Sequence, residues 1–265
     1  MIVKDLENAI YHADREHVSK SWLDHLRKSP AHLEAKLNSP QVSTPAMEFG
    51  SAFHHFVLEQ NTFNDNYIVS PVFNKRTKAG KADFEEFQQS NNKKIIIDQD
   101  ELESIKGMND SLLAHFEAKK LIKAKGEIEL SLFSTLNGVK VKARFDKIID
   151  DKIIVDLKST KSASIEDFSK SIATYRYYVQ AAFYTKIAKL EGFDIEHFYF
   201  IAVEKEPPFA VSVFELDEIS MKIGNEEVEA QLELYKSCKE LNSFPAYGQD
   251  IKTISLPNWA MNIVK

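Results

Sequence analysis

The sequence is poor in several features that would place it in other protein classes. Its 265 residues contain one cysteine, Cys238, which excludes a disulfide framework, a four-cysteine zinc site and an iron–sulfur cluster held by cysteines alone. It has no run of about 18 apolar residues, the length that a membrane-spanning helix needs. The first residues, MIVKDLENAIYHADREH, lack an apolar core of signal-peptide length. We therefore expect a cytoplasmic protein without a membrane partner.

The chain also lacks an excess of positive charge. Its formal net charge of −6 by itself lowers the expectation that it binds nucleic acid. The basic residues are unevenly distributed, however, and concentrate in NKRTKAGK at residues 74–81 and along the 140s. These clusters are candidates for one basic surface. A solvated surface without a partner is the alternative.

What the sequence does contain is enough apolar material, 43% of its residues, for a sizeable buried core. Residues 1–125 are mainly of helical character, with a serine-capped helix from Ser19 that proline ends and a second over residues 46–60. Residues 61–80 are expected to be mostly loop.

From Gly126 the apolar period changes to two, which predicts a three-stranded meander. A single helix from Ser164 to Leu190 is expected next, with Tyr175 and Val179 in its apolar stripe, then two strands and a helix over residues 217–241. This order predicts one α/β domain over residues 1–265. In it, a helical region (1–125) precedes a core (126–265) with a central mixed β-sheet flanked by helices.

Acidic residues and a lysine interrupt the apolar strands in VKVKARFDKIIDDKIIVDLKST, residues 139–160. Strand alternation places Asp146 on the face opposite Phe145, and Asp156 and Lys158 on one common face. If the two strands pair across the DD turn, Asp146 and Asp156 converge, with Lys158 one step along. Glu129 on the preceding strand has a face compatible with joining them.

Close carboxylates repel each other unless a cation lies between them. Hard oxygen ligands in this number suit Mg²⁺ or Mn²⁺. Such an ion and a neighbouring lysine together favour attack of water on phosphorus, which is phosphodiester hydrolysis. A charged surface hairpin explains the same pattern without any site.

Further motifs resemble one family of nucleases. The strand with Asp146 followed by DLK (156–158) resembles the core of the PD-(D/E)xK nucleases, although Phe145 stands in place of the customary proline. Gln180 and Tyr184 are similar to the QxxxY helix motif, and Gly50 to His54 in MEFGSAFHHFVLE is similar to the GxxxH element. The segments SKSWLDHLRKSPAH, NKRTKAGKADFEEF and TISLPNWA resemble the exonuclease VIII (RecE) C-terminal nuclease domain. The resemblance runs from about residue 19 to residue 260 and implies a restriction-endonuclease-like fold.

The resemblance also implies roles for individual residues. The metal would be held by the carboxylates of Asp146 and Asp156, the carbonyl of Leu157 and a histidine. That histidine would be His54, and His55 beside it is the competing candidate. Lys158 would be catalytic and Glu129 would position metal or water. Gln180 and Tyr184 would orient the DNA strand or the lysine. The candidates for holding the DNA backbone are the basic residues Lys75, Arg76, Lys78, Lys81, Arg144 and Arg176. The alternative is that these side chains are exposed and solvated without a partner.

The implied activity is Mg²⁺-dependent digestion of linear double-stranded DNA from an end, with 5′-to-3′ polarity, leaving 3′ single-stranded tails for recombination. Implied partners are DNA ends, further copies of the chain in a homo-oligomeric ring, and a single-strand annealing protein, in a bacterial or phage-infected cell. Two alternatives remain open: another PD-(D/E)xK nuclease acting on single strands or on special DNA structures, and a catalytically silent DNA-binding module.

Overall fold

The strands that follow Gly126 form the sheet around which the chain is organised. The computed structural model describes residues 1–40 and 42–261, apart from the side chains of residues 258 and 259. The strands are β1 (Ile2–Val3), β2 (Tyr67–Val69), β3 (Ile95–Ile97), β4 (Glu127–Leu136), β5 (Val139–Ile149), β6 (Ile153–Thr160), β7 (His197–Glu204) and β8 (Val211–Glu215). The helices are α1 (Asn8–Ala13), α2 (Lys20–Leu26), α3 (Pro30–Leu37), α4 (Pro45–Leu58), α5 (Phe63–Asn66), α6 (Lys78–Ser90), α7 (Gln99–Ala114), α8 (Phe116–Lys123), α9 (Ile165–Thr174), α10 (Tyr177–Leu190), α11 (Glu218–Glu240) and α12 (Asn258–Met261).

The main sheet has the order β1-β4-β5-β6-β7-β8. Its neighbours are antiparallel except β6 and β7, which run parallel because α9 and α10 connect them. The turns at 137–138 and 150–151 each have two consecutive residues with positive φ, the backbone that tight hairpins need to match the twist of their strands. The prediction of a central mixed sheet flanked by helices is confirmed.

Helices cover both faces of the sheet. One hydrophobic core lies between the sheet and α2, α3, α10 and α11, and includes Leu23, Leu33, Phe183 and Leu232. A second core lies on the other face against α4, α7 and α8, and includes Phe53, Met108 and Ile122. Two of the charged side chains that alternate with apolar ones on β5, Lys142 and Lys147, are therefore buried rather than solvated.

Lys142 shows how the chain deals with a charge on the covered part of β5. The residue is only 3% exposed, and its ammonium donates to the carbonyls of Tyr11 and Asp14, at 2.6 and 3.0 Å. The end of α1 and the residue that follows it thus cover this part of the strand. A buried ammonium group needs such partners, because an unpaired one would lose its hydration without compensation.

Several elements differ from the sequence-based expectations. Pro30 begins α3 rather than only ending α2, since proline is well suited to the first turn of a helix and Ser29 caps it. Residues 67–69 and 95–97 form a small parallel sheet in and beyond the expected loop. Strand β1 adds an edge to the main sheet by pairing with β4. Segments of two or three residues are too short to show a periodic pattern.

The helix expected from Ser164 to Leu190 is broken into α9 and α10. Arg176 lies at the break with φ 54°, in the left-handed region. Its guanidinium donates to the carbonyl of Leu23 at 3.1 Å and to the carboxylates of Asp24 and Glu227, at 2.9 and 2.7 Å. These contacts to α2 and α11 stabilise a backbone conformation that costs roughly 1–2 kcal/mol for a non-glycine residue. The break also removes Tyr175 from the core stripe.

We expect Arg176→Ala to lower the free energy of unfolding by about 2 kcal/mol, after allowance for the partial exposure of its partners. The substitution leaves two carboxylates and a carbonyl without their common donor. Urea denaturation would measure the effect. The control is Lys170→Ala, which removes an exposed pair with Asp167 and should change stability little. Equal stabilities of the two variants would show that the Arg176 contacts are no stronger than a surface pair.

In the part of the chain that the structure describes, no helix is both long enough and apolar enough to cross a bilayer.

Candidate active site

The two acidic residues on the central strands lie where β5 and β6 separate. The strands pair over residues 147–149 and 153–155, and the next positions facing each other are Asp146 and Asp156. There the backbone N–H of Leu157 donates to Oδ2 of Asp146 at 2.7 Å. A carboxylate thus takes a hydrogen bond from the backbone inside the sheet, which opens a polar site between two central strands.

The neighbouring strand β4 is irregular at the same level. Glu129 lies opposite Asp146 in the register of β4 and β5 and has φ 49°, in the left-handed region. On β5, Phe145 and Ile148 pack in the same core although they are three residues apart, so the alternation of faces is interrupted between them. Backbone strain of this kind, held in place by surrounding structure, is concentrated at functional sites.

Glu129 also experiences an unfavourable charge environment. Burial, followed by repulsion from Asp146, raises the pKa of Glu129 to about 7. An isolated surface glutamate has no reason for such a shift. Carboxyl groups whose pKa is raised by burial and a like charge, next to strained backbone, are characteristic of active sites.

Lys158 lies against Asp156 on β6. Its Nζ is 2.6 Å from Oδ2 of Asp156, donates to Oε1 of Gln180 at 3.1 Å, and lies 4.5 Å from the centre of the Tyr177 ring. Burial acts to lower the pKa of Lys158, but attraction to Asp156 and Asp146 outweighs it and raises the pKa above its ordinary value. The ammonium is therefore charged and held in one orientation.

Gln180 on α10 holds the acid and the lysine together. Its Nε2 donates to Oδ1 of Asp156 at 2.6 Å while its Oε1 accepts from Lys158. Burial raises the pKa of Asp156, and the attraction of Lys158 offsets this only in part. Although Oδ2 of Asp156 is close to Lys158, this buried oxygen accepts no hydrogen bond of acceptable geometry.

His54 reaches the site from α4, on the other face of the sheet. Its Nδ1 is 3.4 Å from Oδ2 of Asp146. Burial acts to lower the pKa of His54, but the charge of Asp146 outweighs it and raises the pKa. Burial likewise acts to raise the pKa of Asp146, yet His54 holds it below its ordinary value. The neighbouring His55 instead contacts Thr62 and Glu59, so His54 is the histidine that faces the acids.

The donor set fits a hard divalent cation. It combines the buried carboxylate of Asp156, the half-buried carboxylate of Asp146 and the imidazole of His54. Such cations prefer oxygen ligands. The set is not a ready-made cage: among the described residues, no three His, Cys, Asp or Glu side chains are arranged to enclose an ion. Asp146 and Asp156 are instead paired with His54 and Lys158.

Tyr184, one turn after Gln180, packs against Phe145 with ring centres 5.0 Å apart. Burial, followed by the charges of Tyr11, Asp156 and Asp146, raises the pKa of Tyr184. Its hydroxyl therefore stays protonated close to the acids. The structure thus brings Glu129, Asp146, Asp156, Lys158, Gln180, Tyr184 and His54 to one place, and the part assigned to the Leu157 carbonyl remains a prediction.

The two arginines expected to contact phosphate have other partners in this structure. Arg144 donates to Ser131, Asn8 and the carbonyl of Leu6 and lies over the ring of Tyr11. Arg176 is bound at the break between α9 and α10 as described. Each guanidinium binds other segments of the chain and thereby contributes to the fold. Sequence spacing alone could not reveal those partners. A role of Arg144 and Arg176 in DNA binding stays a prediction.

The other expected DNA contacts lie apart from the arginines, on the turn before α6 and its first turns. Lys75, Arg76, Lys78 and Lys81 are all exposed, and Lys75 lies 3.5 Å from the ring centre of Phe84. These four residues form a solvent-facing basic segment. Their role in DNA binding remains a prediction.

Lys20 is a residue near the site that the sequence patterns did not indicate. Its ammonium donates to Asp24 at 2.8 Å and to the carbonyl of Tyr175 at 2.6 Å. Burial lowers the pKa of Lys20, and attraction to Asp24 offsets this only in part. Lys20 follows the helix cap at Ser19, and only the packing of α2 beside α10 brings it here.

Comparisons with known proteins agree with the fold. A family model described as a PDDEXK-like domain of unknown function (DUF3799) matches residues 19–257. A crystal structure of a candidate exonuclease from Eubacterium rectale is similar with a TM-score of 0.62 at 12% identity, over 99% of this chain and 100% of that chain. An alkaline exonuclease from Laribacter hongkongensis is more distant, with a TM-score of 0.34 at 10% identity over 89% of this chain and 96% of that chain. Curated proteins include no significant match in sequence.

Proposed function

The chain belongs to the PDDEXK-like domain family, within the PD-(D/E)xK nucleases, and from this premise we propose that it is a metal-dependent exodeoxyribonuclease. The fold supports a nuclease. The observation that carries the proposal is the meeting of Asp146, Asp156 and Lys158 in the opening between β5 and β6, with Gln180 bound to both Asp156 and Lys158.

The proposed reaction is hydrolysis of a phosphodiester bond. The ion would be held by His54, Asp146, Asp156 and the carbonyl of Leu157, and it would supply a Lewis acid for the phosphate and the attacking water. The protein supplies orientation and charge. The hydrogen bond from Leu157 fixes the carboxylate of Asp146.

Lys158 would stabilise the negative charge that develops on the phosphate. Gln180 and Asp156 fix the direction of its ammonium before the substrate arrives, so no reorganisation is needed during the reaction. Glu129 lies opposite Asp146 and would position water. Tyr184 would support Gln180 and the DNA strand from the next turn of α10.

The finer parts of the proposal come from the resemblance to the exonuclease VIII family. They are Mg²⁺ as the ion, with Mn²⁺ as a substitute, linear double-stranded DNA as the substrate, 5′-to-3′ polarity and 3′ single-stranded products for recombination. A homo-oligomeric ring around DNA and a single-strand annealing partner belong to the same proposal. In a ring, the basic segments of the copies would line the central channel around the DNA, although each chain has a net charge of −6.

The decisive experiment uses linear duplex DNA labelled at one end of one strand at a time, with closed circular DNA of the same sequence in parallel. With Mg²⁺ we expect the linear duplex to shorten from one strand end and the circle to persist; with EDTA both should persist. Cleavage of the circle would replace the exonuclease proposal by a structure-specific nuclease. Binding without cleavage under any divalent ion would indicate a silent DNA-binding module.

A further inference from the structure

An exposed tyrosine lies one ring away from the lysine of the site. Tyr175 is 59% exposed, and its ring stacks on Tyr177 with centres 5.6 Å apart and an angle of 27°. Tyr177 stacks in turn on Phe200, at 5.8 Å and 29°, and the ammonium of Lys158 lies against the Tyr177 ring. A column of three aromatic rings therefore runs from the surface, past Lys158, into the core.

The surface end of this column is held in place from several sides. The left-handed backbone of Arg176, fixed by α2 and α11, turns the chain immediately after Tyr175. Lys20 donates to the carbonyl of Tyr175 while Asp24 binds both Lys20 and Arg176. Tyr175 thus lies on a strained turn whose backbone carbonyl and neighbouring guanidinium are bonded to other elements.

The strained backbone at Arg176 and the exposed ring of Tyr175 both cost stability. A function of the exposed ring would explain why the chain keeps them. An uninterrupted helix from α9 into α10 would have avoided the left-handed residue and the exposed aromatic surface. Strain that surrounding contacts maintain beside a reactive centre is a sign of function. A flat exposed ring, separated by one ring from the ammonium that would bind phosphate, matches the two parts of a nucleotide, in which base and phosphate are joined through one sugar.

We propose that Tyr175 is a stacking platform for an unpaired base of the DNA strand being cut, next to the scissile phosphate. The proposal rests on the proposed nuclease function, which places that phosphate at Lys158. Stacking on an aromatic side chain uses the ring face and tolerates any base. Tyr175 would therefore hold the end of the strand in line with Lys158 without selecting a sequence.

The test compares removal of the ring with removal of the base. The parent protein and Tyr175→Ala are assayed on linear duplexes whose two terminal nucleotides are natural or abasic, with the abasic sites at the 5′ or the 3′ end in turn. On natural ends we expect Tyr175→Ala to raise KM, and to weaken binding by fluorescence anisotropy in EDTA, by about tenfold. With the abasic sites at the end that is cut, parent and variant should differ by less than about twofold, because the partner of the ring is already missing.

Two variants and one control separate stacking from other effects. Tyr175→Phe and Tyr175→Trp keep a ring and should keep the parental KM. Tyr247→Ala removes a tyrosine that is 70% exposed elsewhere and should leave KM unchanged, and Tm should be unchanged in all of these variants. Equal losses on natural and abasic ends, or loss with Tyr175→Phe, would overturn the stacking proposal. A parent protein that cleaves no linear DNA would instead defeat the nuclease function itself.

Discussion

Asp156→Asn is expected to reduce cleavage of linear duplex DNA by at least about 10³-fold while the protein stays folded. The amide has the size of the carboxylate, and its oxygen can still accept the hydrogen bond that Gln180 donates to Oδ1 at 2.6 Å. The substitution removes the negative charge of Asp156, which would hold the divalent ion and which pairs with Lys158. Initial rates on end-labelled DNA in Mg²⁺ measure the loss.

The fold should tolerate this change because burial already disfavours the charged form of Asp156 and raises its pKa. In the variant, the ammonium of Lys158 would still be attracted by the negative charge of Asp146. The matched control is Asp151→Asn on the exposed turn between β5 and β6, where φ is 59° and asparagine is well tolerated. This control should cleave at the parental rate. A parental rate in Asp156→Asn would remove this acid from the reaction.

Lys158→Met is expected to lower kcat on the order of 10²- to 10³-fold with a much smaller change in KM. Methionine has a similar shape but no charge, so the variant loses the group that would stabilise the transition state and keeps most of the packing against Tyr177. Single-turnover cleavage of linear duplex DNA separates the chemical step from binding.

The same substitution also removes the ammonium that attracts both Asp156 and Asp146. Asp156 and Asp146 would lose attraction that now favours their charged forms, so Tm is measured first and rates are compared well below it. Lys161→Met, at an exposed position just after β6, is the control and should keep the parental kcat. If Lys158→Met matched it, Lys158 would be a structural partner of Asp156 and not a catalytic group.

The sequence was most informative where short-range periodicity and spacing decide the structure. The period of two after Gly126 predicted β4, β5 and β6, and the DLK motif placed Asp156 and Lys158 on one face. The i, i+4 pair Gln180 and Tyr184 lies on the α10 surface that faces these acids. These features depend on neighbours in the chain, so a local pattern contains them.

The sequence was least informative where a charge finds its partner far along the chain. Arg176 reads as one more polar residue in a helix, yet its bonds to α2 and α11 break that helix and expose Tyr175. The sequence predicts a phosphate contact for Arg144, but it does not indicate that this guanidinium also donates to Asn8 and Leu6 of the N-terminal segment. His54 and His55 are adjacent in sequence, and only the position of α4 on the sheet separates them.

By itself the sequence determined the kinds of groups and their order: a helical first part, a strand meander that carries two acids and a lysine, and a helix with glutamine and tyrosine. Only the tertiary structure decided that β5 and β6 separate at the acids, and that His54 reaches the site from one face of the sheet and Gln180 from the other. It also decided which basic side chains already have partners within the chain. The reason is physical. Backbone periodicity sets the direction of each side chain locally, whereas burial and charge pairing depend on segments that meet only when the chain is folded.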